Sequence, residues 1–151
     1  NNMKIALGCD HGGYAYKTEL IEYLNKKGYE TIDFGCFSED SCDYPDFALP
    51  AAECVKNGDA DFGILICSTG IGISIAANKV PGIRCAHCHD VVSAGLTRNH
   101  NNANMLAFGA KIISKELMYE IVDKFLSSGF DGGRHQRRVD KITAIEQKYS
   151  K

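Results

Sequence analysis

The sequence has no long apolar run and no excess of charge of either sign. No stretch approaches the about 20 consecutive apolar residues that a membrane-spanning helix needs. The run from Ile5 to Cys9 is cut by Asp10 and is too short for a signal peptide. The formal net charge is -2, and the one short basic cluster lies at 134–138. We therefore expect neither a membrane nor a nucleic-acid partner.

Internal repeats, linkers and low-complexity segments are also missing. With 151 residues, 44% of them hydrophobic and 24% charged, the chain suits one domain at residues 1–151. Asn1 and Asn2 precede Met3, and we expect them to be a remnant foreign to the natural chain. The seven cysteines are an odd number. In a chain with a full core they favour free thiols in a reducing, cytoplasmic setting over a disulfide scaffold.

What the sequence does contain is a regular alternation of short β-type runs and helical patterns. The predicted strands are 4–9, 29–34, 62–67, 83–87 and 104–108. The predicted helices run up to about 27, over 45–56, from the glycine turn to about 79, from 90 to about 99, after 114, and over 134–147. This alternation predicts a Rossmann-like three-layer α/β/α sandwich with a five-stranded parallel sheet.

Two predicted strand ends carry reactive side chains. The first strand ends in Cys9-Asp10-His11, and the third ends in Cys67-Ser68-Thr69. Ligands bind at the carboxyl ends of strands in open parallel sheets. If both ends serve one site, the first and third strands are neighbours. The predicted strand order therefore begins 2-1-3, unlike the 3-2-1 order of dinucleotide-binding folds.

The segment from Ile64 to Lys79 gives the strongest chemical signal. A β-type run ends at Cys67, and a glycine-rich turn leads into a helix. Such a turn presents backbone N–H groups that favour an anion and a thiolate. The alternative is a buried structural cysteine on a tight turn. Dinucleotide binding is not predicted, because Gly70 and Gly72 follow the third strand and Ile75 stands where a third glycine is needed.

Asp10 and His11 place a carboxylate and an imidazole at the end of the first strand. Both can act in catalysis or ligand binding there. The plainer alternatives are a helix cap for Asp10 and a solvated loop residue for His11.

His100-Asn101-Asn102 is predicted as a loop between the fourth helix and the fifth strand. Each helix runs back before the next strand begins, so this loop should lie at the edge of the sheet opposite Cys67. A lone loop histidine is commonly just solvated. If His100 is catalytic, the simplest geometry has it reach the Cys67 site of a second subunit.

The segment 132–138 opens the last helix with three arginines. Arg134 and Arg138 are four residues apart and share a helix face. Two guanidinium groups on one face match a phosphate, although a solvated basic helix end would look the same.

The segment Cys85-Ala86-His87-Cys88-His89 resembles a metal motif but lacks a second ligand pair at suitable spacing. On a strand, Cys88 also faces away from Cys85 and His87. We therefore expect no metal here.

Several motifs, taken together in order and spacing, resemble the type B ribose-5-phosphate isomerases, a family that includes galactose- and allose-6-phosphate isomerases. The resemblance covers residues 3–147. The motifs are Cys9-Asp10-His11, Asp43-Tyr44-Pro45, 66–79, Arg98-Asn99-His100-Asn101, Leu106-Ala107-Phe108-Gly109 and 132–138. The resemblance implies one α/β/α domain, dimers and sometimes tetramers, and no metal or organic cofactor.

The resemblance also implies a role for each matching residue. Cys67 is similar to the base that removes the proton beside the aldehyde, and His100 to the acid that opens the sugar ring. Thr69 and Asp10 are similar to the residues that assist this acid in opening the ring. In the family, backbone N–H groups bind the enediolate oxygen. The matching N–H groups here are those of Ser68, Thr69, Gly70, Ile71 and Gly72. Residues similar to the other substrate ligands are Asp10, His11, Tyr44, Asn101, Lys111, Arg134 and Arg138.

The sequence departs from the family pattern in two places. Lys111 stands where arginine is common. A lysine keeps the positive charge but cannot make the bidentate contact of a guanidinium group. Ser68 replaces a more usual glycine. One branch of the family uses a glutamate as base further along the turn, but Ile73-Ser74-Ile75 contains no acid here. The cysteine therefore keeps the role of base.

These observations predict an isomerase that interconverts ribose 5-phosphate and ribulose 5-phosphate. The first alternative is an isomerase of six-carbon sugar phosphates. The second, from a different class, is a non-catalytic sugar-phosphate binding module.

Overall fold

A computed structural model describes residues 3–150, so the expectation for Asn1 and Asn2 lies outside the described residues. The strands are β1 (Lys4–Cys9), β2 (Glu30–Asp33), β3 (Phe62–Cys67), β4 (Cys85–His87) and β5 (Met105–Gly109). The helices are α1 (Tyr14–Lys26), α2 (Pro45–Lys56), α3 (Ile71–Ala77), α4 (Val91–Asn101), α5 (Lys115–Ser127) and α6 (Arg134–Tyr149). A 3-10 turn, His11–Gly13, joins β1 to α1.

The five strands form one parallel sheet in the order β2-β1-β3-β5-β4. The predicted order beginning 2-1-3 is confirmed. β1 pairs with β3 so that Cys9 lies opposite Ile66, and β3 pairs with β5 so that Cys67 lies opposite Gly109. The ends of β1, β3 and β5 therefore meet at the centre of the carboxyl edge.

Two apolar cores separate the sheet from its helices, which confirms the three-layer architecture. Alternation along β3 directs Ile64 and Ile66 into one core and Leu65 and Cys67 into the other. The first core is closed by buried residues of α1, α4 and α5, and the second by buried residues of α2 and α3. Cys67 thus belongs to a strand buried on both faces.

Helix caps explain several of the observed boundaries. The carboxylate of Asp90 accepts a hydrogen bond from the Ser93 backbone N–H at 2.7 Å, which starts α4 as the sequence predicted. At the other end, Asn102 adopts a left-handed conformation with φ of 48° and closes the helix. The prediction that His100 and Asn101 lie in a loop is wrong, because both belong to the last turn of α4.

Smaller differences concern the other boundaries. α3 ends at Ala77 rather than near 79, β4 begins at Cys85 rather than 83, and α6 continues to Tyr149. Among residues 3–150, no helix is both long and apolar enough to span a bilayer.

Candidate active site

Cys67 is the last residue of β3 and is 5% exposed. Its Sγ accepts a hydrogen bond from the backbone N–H of Gly70 at 3.0 Å. The sulfur therefore lies at the foot of the turn that joins β3 to α3. A backbone N–H directed at a sulfur stabilises negative charge on it.

The conformation of this turn requires glycine at position 70. Gly70 has a φ of 79°, and a Cβ there would lie 2.6 Å from the backbone carbon of Phe108. The next N–H group, of Ile71, donates to Thr69 Oγ1 at 3.2 Å. The sequence predicted that the turn presents free N–H groups, but those of Gly70 and Ile71 are engaged within the turn itself.

Asp10 is buried and caps the turn after β1. Its Oδ1 accepts hydrogen bonds from the N–H groups of Gly12 at 2.9 Å and Gly13 at 3.2 Å. A Cβ on Gly12 would collide with Ser68 Oγ. The loops that follow β1 and β3 are therefore in contact, as expected if the ends of these two strands form one site.

His11 and Tyr44 lie beside the same turn. The exposed ring of His11 accepts a hydrogen bond at Nδ1 from the backbone N–H of Cys42, 3.2 Å away. A Cβ on Gly72 would lie 2.5 Å from the ring of Tyr44. Tyr44 thus covers the first turn of α3, and the loop before α2 forms one wall of the site.

The segment after β5 forms the opposite wall. The N–H of Lys111 donates to the Ser68 carbonyl at 2.9 Å, and the N–H of Ala110 donates to the Cys67 carbonyl at the same distance. The backbone of Lys111 therefore runs beside the turn, and its side chain is exposed.

Sequence reasoning missed two histidines at this edge. Nε2 of His87 donates to the Thr69 carbonyl at 2.9 Å, and Nε2 of His89 accepts from the Gly109 N–H at 2.9 Å. Both lie in the segment 85–89, which the sequence singled out only as an unlikely metal motif. No local pattern indicated the contacts, because they join segments about 20 residues apart in the sequence.

A second group of predicted site residues gathers around His100. The His100 ring stacks on that of His135, with centroids 4.3 Å apart and planes inclined by 11°. The N–H of Asp131 donates to the Asn99 carbonyl at 3.0 Å, which holds the loop before α6 against α4. Arg134 and Arg138, in the first turns of α6, are exposed near this stack.

This second group has a positive electrostatic character. The pKa of His135 lies below its ordinary value, first through partial loss of hydration and then through nearby positive groups. These groups are His100, Arg134 and Arg138, and only Asp131 opposes them. A cluster that disfavours another positive charge is suited to an anion such as phosphate.

The two groups lie at opposite edges of the sheet. The guanidinium of Arg84, just before β4, donates to the carbonyls of Asn101 and Asn102 at 3.0 and 2.9 Å. The end of α4 therefore lies at the amino edge, whereas Cys67 lies at the carboxyl edge. β3 has six residues, and a strand of that length spans roughly 20 Å. One chain therefore does not bring Cys67 and His100 together.

Known proteins resemble this chain in sequence and in overall fold. A family model described as Ribose/Galactose Isomerase matches residues 5–142. This chain belongs to the Ribose/Galactose Isomerase family. The resemblance drawn from the sequence motifs is thereby confirmed.

Individual relatives in the family match over almost the whole chain. Ribose-5-phosphate isomerase B of Escherichia coli is 51% identical over 145 residues, covering 96% of this chain and 97% of that protein. A solved structure of ribose-5-phosphate isomerase B from Clostridium thermocellum superposes with a TM-score of 0.97 at 55% identity, covering 98% of this chain and 100% of that one.

One solved relative carries a sugar phosphate. The crystal structure of ribose-5-phosphate isomerase B from Mycoplasma genitalium with bound ribulose-5-phosphate has a TM-score of 0.91 and 42% identity. It covers 96% of this chain and 97% of that one.

This family member also brings three ligand-type atoms close together. One atom each of His100, Asp131 and His135 lies within 4.8 Å of the other two. Because the imidazoles stack nearly parallel, their in-plane lone pairs do not converge on one point.

In the segment 85–89, burial raises the pKa of Cys85 and of Cys88, the latter to about 11. Neither thiol is therefore poised as a thiolate ligand.

A cavity of about 870 Å³ lies away from Cys67, against the second half of α6. Its walls include Asn101, Ile142, Ile145 and Tyr149. Of the predicted ligands, only Asn101 lines it. The cavity is therefore a feature of the amino edge, separate from the Cys67 turn.

Proposed function

We propose that this chain interconverts ribose 5-phosphate and ribulose 5-phosphate through an enediolate intermediate. Relatives about half identical to it over nearly their full lengths are named ribose-5-phosphate isomerase B. The reaction moves protons between neighbouring carbons and oxygens and has no net oxidation. It requires a base, a stabilised enediolate and a fixed phosphate, so we propose no metal or organic cofactor.

The observation that carries the proposal is the position of Cys67 Sγ, hydrogen-bonded by the Gly70 N–H at the foot of the turn. In the proposed mechanism Cys67 removes the proton from C2 of the open-chain aldose and returns it to C1. The N–H groups of residues 68–72 are proposed to cradle the oxygen on which negative charge develops, those of Gly70 and Ile71 after release from Cys67 Sγ and Thr69 Oγ1. Oriented donors of this kind stabilise an enediolate more than the ground state.

His100 is proposed to open the sugar ring, assisted by Thr69 and Asp10. Asp10 is held rigidly, because two backbone N–H groups fix its Oδ1. Thr69 is held by Ile71 on one side and by His87 on the other. Both residues are therefore pre-organised beside the Cys67 turn.

The remaining proposed ligands bind the ends of the substrate. His11, Lys111, Arg134 and Arg138 bind the phosphate, while Asn101 and Tyr44 contact the sugar. His11 accepts the Cys42 N–H at Nδ1, so in the neutral ring the proton is on Nε2, which can donate to a phosphate oxygen. Binding at the phosphate positions the distant carbons for proton transfer.

The proposed site is shared between two copies of the chain. His100, Arg134 and Arg138 lie at the edge opposite Cys67, so a second chain must supply them. Large apolar side chains beside the Cys67 turn are exposed, including Ile71 at 51% and Ile75 at 55%. Exposed apolar surface of this kind marks an interface. A homodimer, or a tetramer built from dimers, would cover it.

We also propose that residues 1–151 act as one domain, since the two cores share one sheet. The proposed compartment is the cytoplasm. All seven cysteines are free thiols in the structure, as a reducing environment would keep them.

A substrate panel tests the proposal directly. Purified protein is assayed with ribose 5-phosphate, allose 6-phosphate and galactose 6-phosphate in deuterated water. We expect turnover to be highest with ribose 5-phosphate and deuterium to enter the carbon-bound position of product and recovered substrate. Higher turnover of a six-carbon substrate would identify a hexose-phosphate isomerase. Binding without deuterium exchange would identify a non-catalytic module.

A further inference from the structure

The imidazole of His87 reaches the turn after β3 from a strand that is not adjacent to β3. In the sheet, β5 separates β4 from β3. Cys67 and Cys85 both belong to the core under α2 and α3, and His87, two residues after Cys85, is directed to the same face of the sheet. From the end of β4 its Nε2 donates to the Thr69 carbonyl at 2.9 Å. The imidazole therefore extends across the end of β5 to the turn.

The peptide unit between Thr69 and Gly70 is hydrogen-bonded at both of its ends. Its carbonyl accepts the bond from His87, and its N–H, which belongs to Gly70, donates to Cys67 Sγ at 3.0 Å. The carbonyl and the N–H of a trans peptide point in opposite directions within one plane. The bond that holds the carbonyl toward His87 therefore also directs the N–H toward the sulfur. One peptide unit thus connects His87 to the proposed base.

Gly70 by itself does not determine the orientation of this peptide. Its φ of 79° and ψ of -10° are those of the third residue in a type II turn. In a type I turn the third residue has φ near about −90° and the preceding peptide is turned over. Glycine adopts both conformations readily. In the turned-over form the Thr69 carbonyl, rather than the Gly70 N–H, would face Cys67.

We propose that His87 is a positioning residue for the isomerisation, a role that rests on the proposed function. By holding the Thr69 carbonyl, His87 keeps the Gly70 N–H directed at Cys67 Sγ and, after its release from the sulfur, at the oxygen that becomes negative. Hydrogen bonds in series polarise one another, so the bond from His87 also strengthens the donor at the other end of the peptide. His87 acts through this peptide and not on the substrate.

The imidazole and its acceptor are both held in place by neighbouring groups. The rings of His87 and His89 are nearly perpendicular, with centroids 4.6 Å apart and planes inclined by 78°. His89 is itself fixed, because its Nε2 accepts the Gly109 N–H at 2.9 Å. A Cβ on Gly109 would lie 2.5 Å from the backbone carbon of Thr69, so the end of β5 packs directly on the same peptide. His87 is therefore pre-organised as the donor.

Two substitutions of different length separate this hydrogen bond from the other effects of the imidazole. In His87→Gln, the side-chain amide nitrogen lies about as far from Cα as Nε2 does, so it can donate to the Thr69 carbonyl. In His87→Asn, the amide nitrogen corresponds to Nδ1 and does not reach the carbonyl. Both variants lose the ring contact with His89. Because His87 is exposed, both should fold.

Steady-state kinetics on ribose 5-phosphate measure the consequence for the reaction. We expect kcat to fall about fivefold in His87→Asn, as for one lost neutral hydrogen bond, with KM nearly unchanged because the bond supports the transition state. In His87→Gln, kcat should return close to the wild-type value. Equal kcat in the two variants, whether reduced or normal, or a change confined to KM, would overturn the proposal.

Nuclear magnetic resonance tests the geometry without an assay of activity. Gly70 is the only glycine that follows a threonine, so carbonyl-labelled threonine combined with nitrogen-labelled glycine selects the peptide between Thr69 and Gly70. We expect the chemical shifts of the Thr69 carbonyl and the Gly70 amide to move in His87→Asn and to return in His87→Gln. Unchanged shifts in His87→Asn would show that His87 does not hold this peptide.

The two measurements distinguish failure of this inference from failure of the proposed function. If the shifts follow the expected pattern in a protein that is inactive on every sugar phosphate, the proposed function fails while the connection from His87 to Cys67 stands. If the shifts follow that pattern but kcat stays normal in His87→Asn, the positioning role is wrong.

Discussion

The backbone N–H of Gly70 is directed at the sulfur of Cys67, with N and Sγ 3.0 Å apart. The contact exists because Gly70 adopts a left-handed conformation, with φ of 79°, one residue before α3 begins. The local geometry thus holds a thiol beside a donor at the carboxyl edge. This relationship connects the fold of the turn to the proposed chemistry.

Replacing Cys67 by alanine should remove the base while leaving the turn almost unchanged in size. We expect kcat to fall by about 10³-fold, within the range for loss of a positioned base, with little change in KM. Steady-state kinetics on ribose 5-phosphate measure both values. The matched control is Cys54→Ala, another buried cysteine, which should keep kcat. Near-normal turnover of Cys67→Ala would reject Cys67 as the base.

Gly70→Ala should be more destabilising than the same change at Gly58. Both glycines have positive φ, 79° and 82°, but only Gly70 is crowded by the Phe108 backbone, whereas a Cβ on Gly58 meets nothing within 4 Å. We expect the free energy of unfolding to fall by about 3 kcal/mol for Gly70→Ala and by about 1 kcal/mol for Gly58→Ala. Urea unfolding measures the difference. Equal losses would show that the close approach to Phe108 does not constrain the turn.

Arg134 and Arg138 should contribute mainly to substrate binding. Loss of a charge-assisted hydrogen bond to phosphate should raise KM by about tenfold in Arg134→Gln or Arg138→Gln, with kcat much less affected. Arg137 lies about 100° around the helix from Arg138, so Arg137→Gln serves as the control. If Arg137→Gln raises KM as much as the others, the effect is a general positive field rather than direct phosphate binding.

The free energy of unfolding should decrease in mild acid because of His89. Burial lowers the pKa of His89 below its ordinary value of 6.5, His87 adds to this, and Asp90 opposes it. Below pH 6.5 the unfolded chain then binds more protons than the folded one, so the free energy of unfolding decreases as pH falls toward the folded pKa. Protonation of Nε2 also removes the acceptor for the Gly109 N–H.

Urea unfolding between pH 5 and 8 measures this dependence. In His89→Gln, a non-titrating amide oxygen can accept the same N–H, so we expect a shallower decline below pH 6.5. His135, whose pKa is also lowered, decreases the free energy of unfolding in acid in the same way, but it is present in both proteins. An unchanged slope in His89→Gln would show that His89 is not responsible.

The sequence predicted the sheet well because its signals are local. β1, α2 and β3 begin and end at the predicted residues, since apolar runs, Pro45 and the flanking glycines mark them directly. The strand order followed from two reactive strand ends, Asp10 and Cys67, that had to meet. Their loops do meet, through Gly12 and Ser68.

Contacts between distant segments were not predictable in the same way. His87 and His89 sit in a short segment that resembles a metal motif, and only the fold shows that they hold Thr69 and Gly109. The predicted helix ends near residue 99 and leaves His100 in a loop, whereas the helix continues until Asn102 adopts a left-handed conformation. Local propensity does not specify which asparagine ends a helix.

The central claim is that Cys67 acts in a site completed by His100 of a second chain. Subunit exchange between Cys67→Ala and His100→Ala proteins tests it most directly. Random exchange of dimers should restore about a quarter of wild-type activity, because half the dimers are mixed and each has one intact site. No recovery, with exchange demonstrated by labelled subunits, would contradict the account.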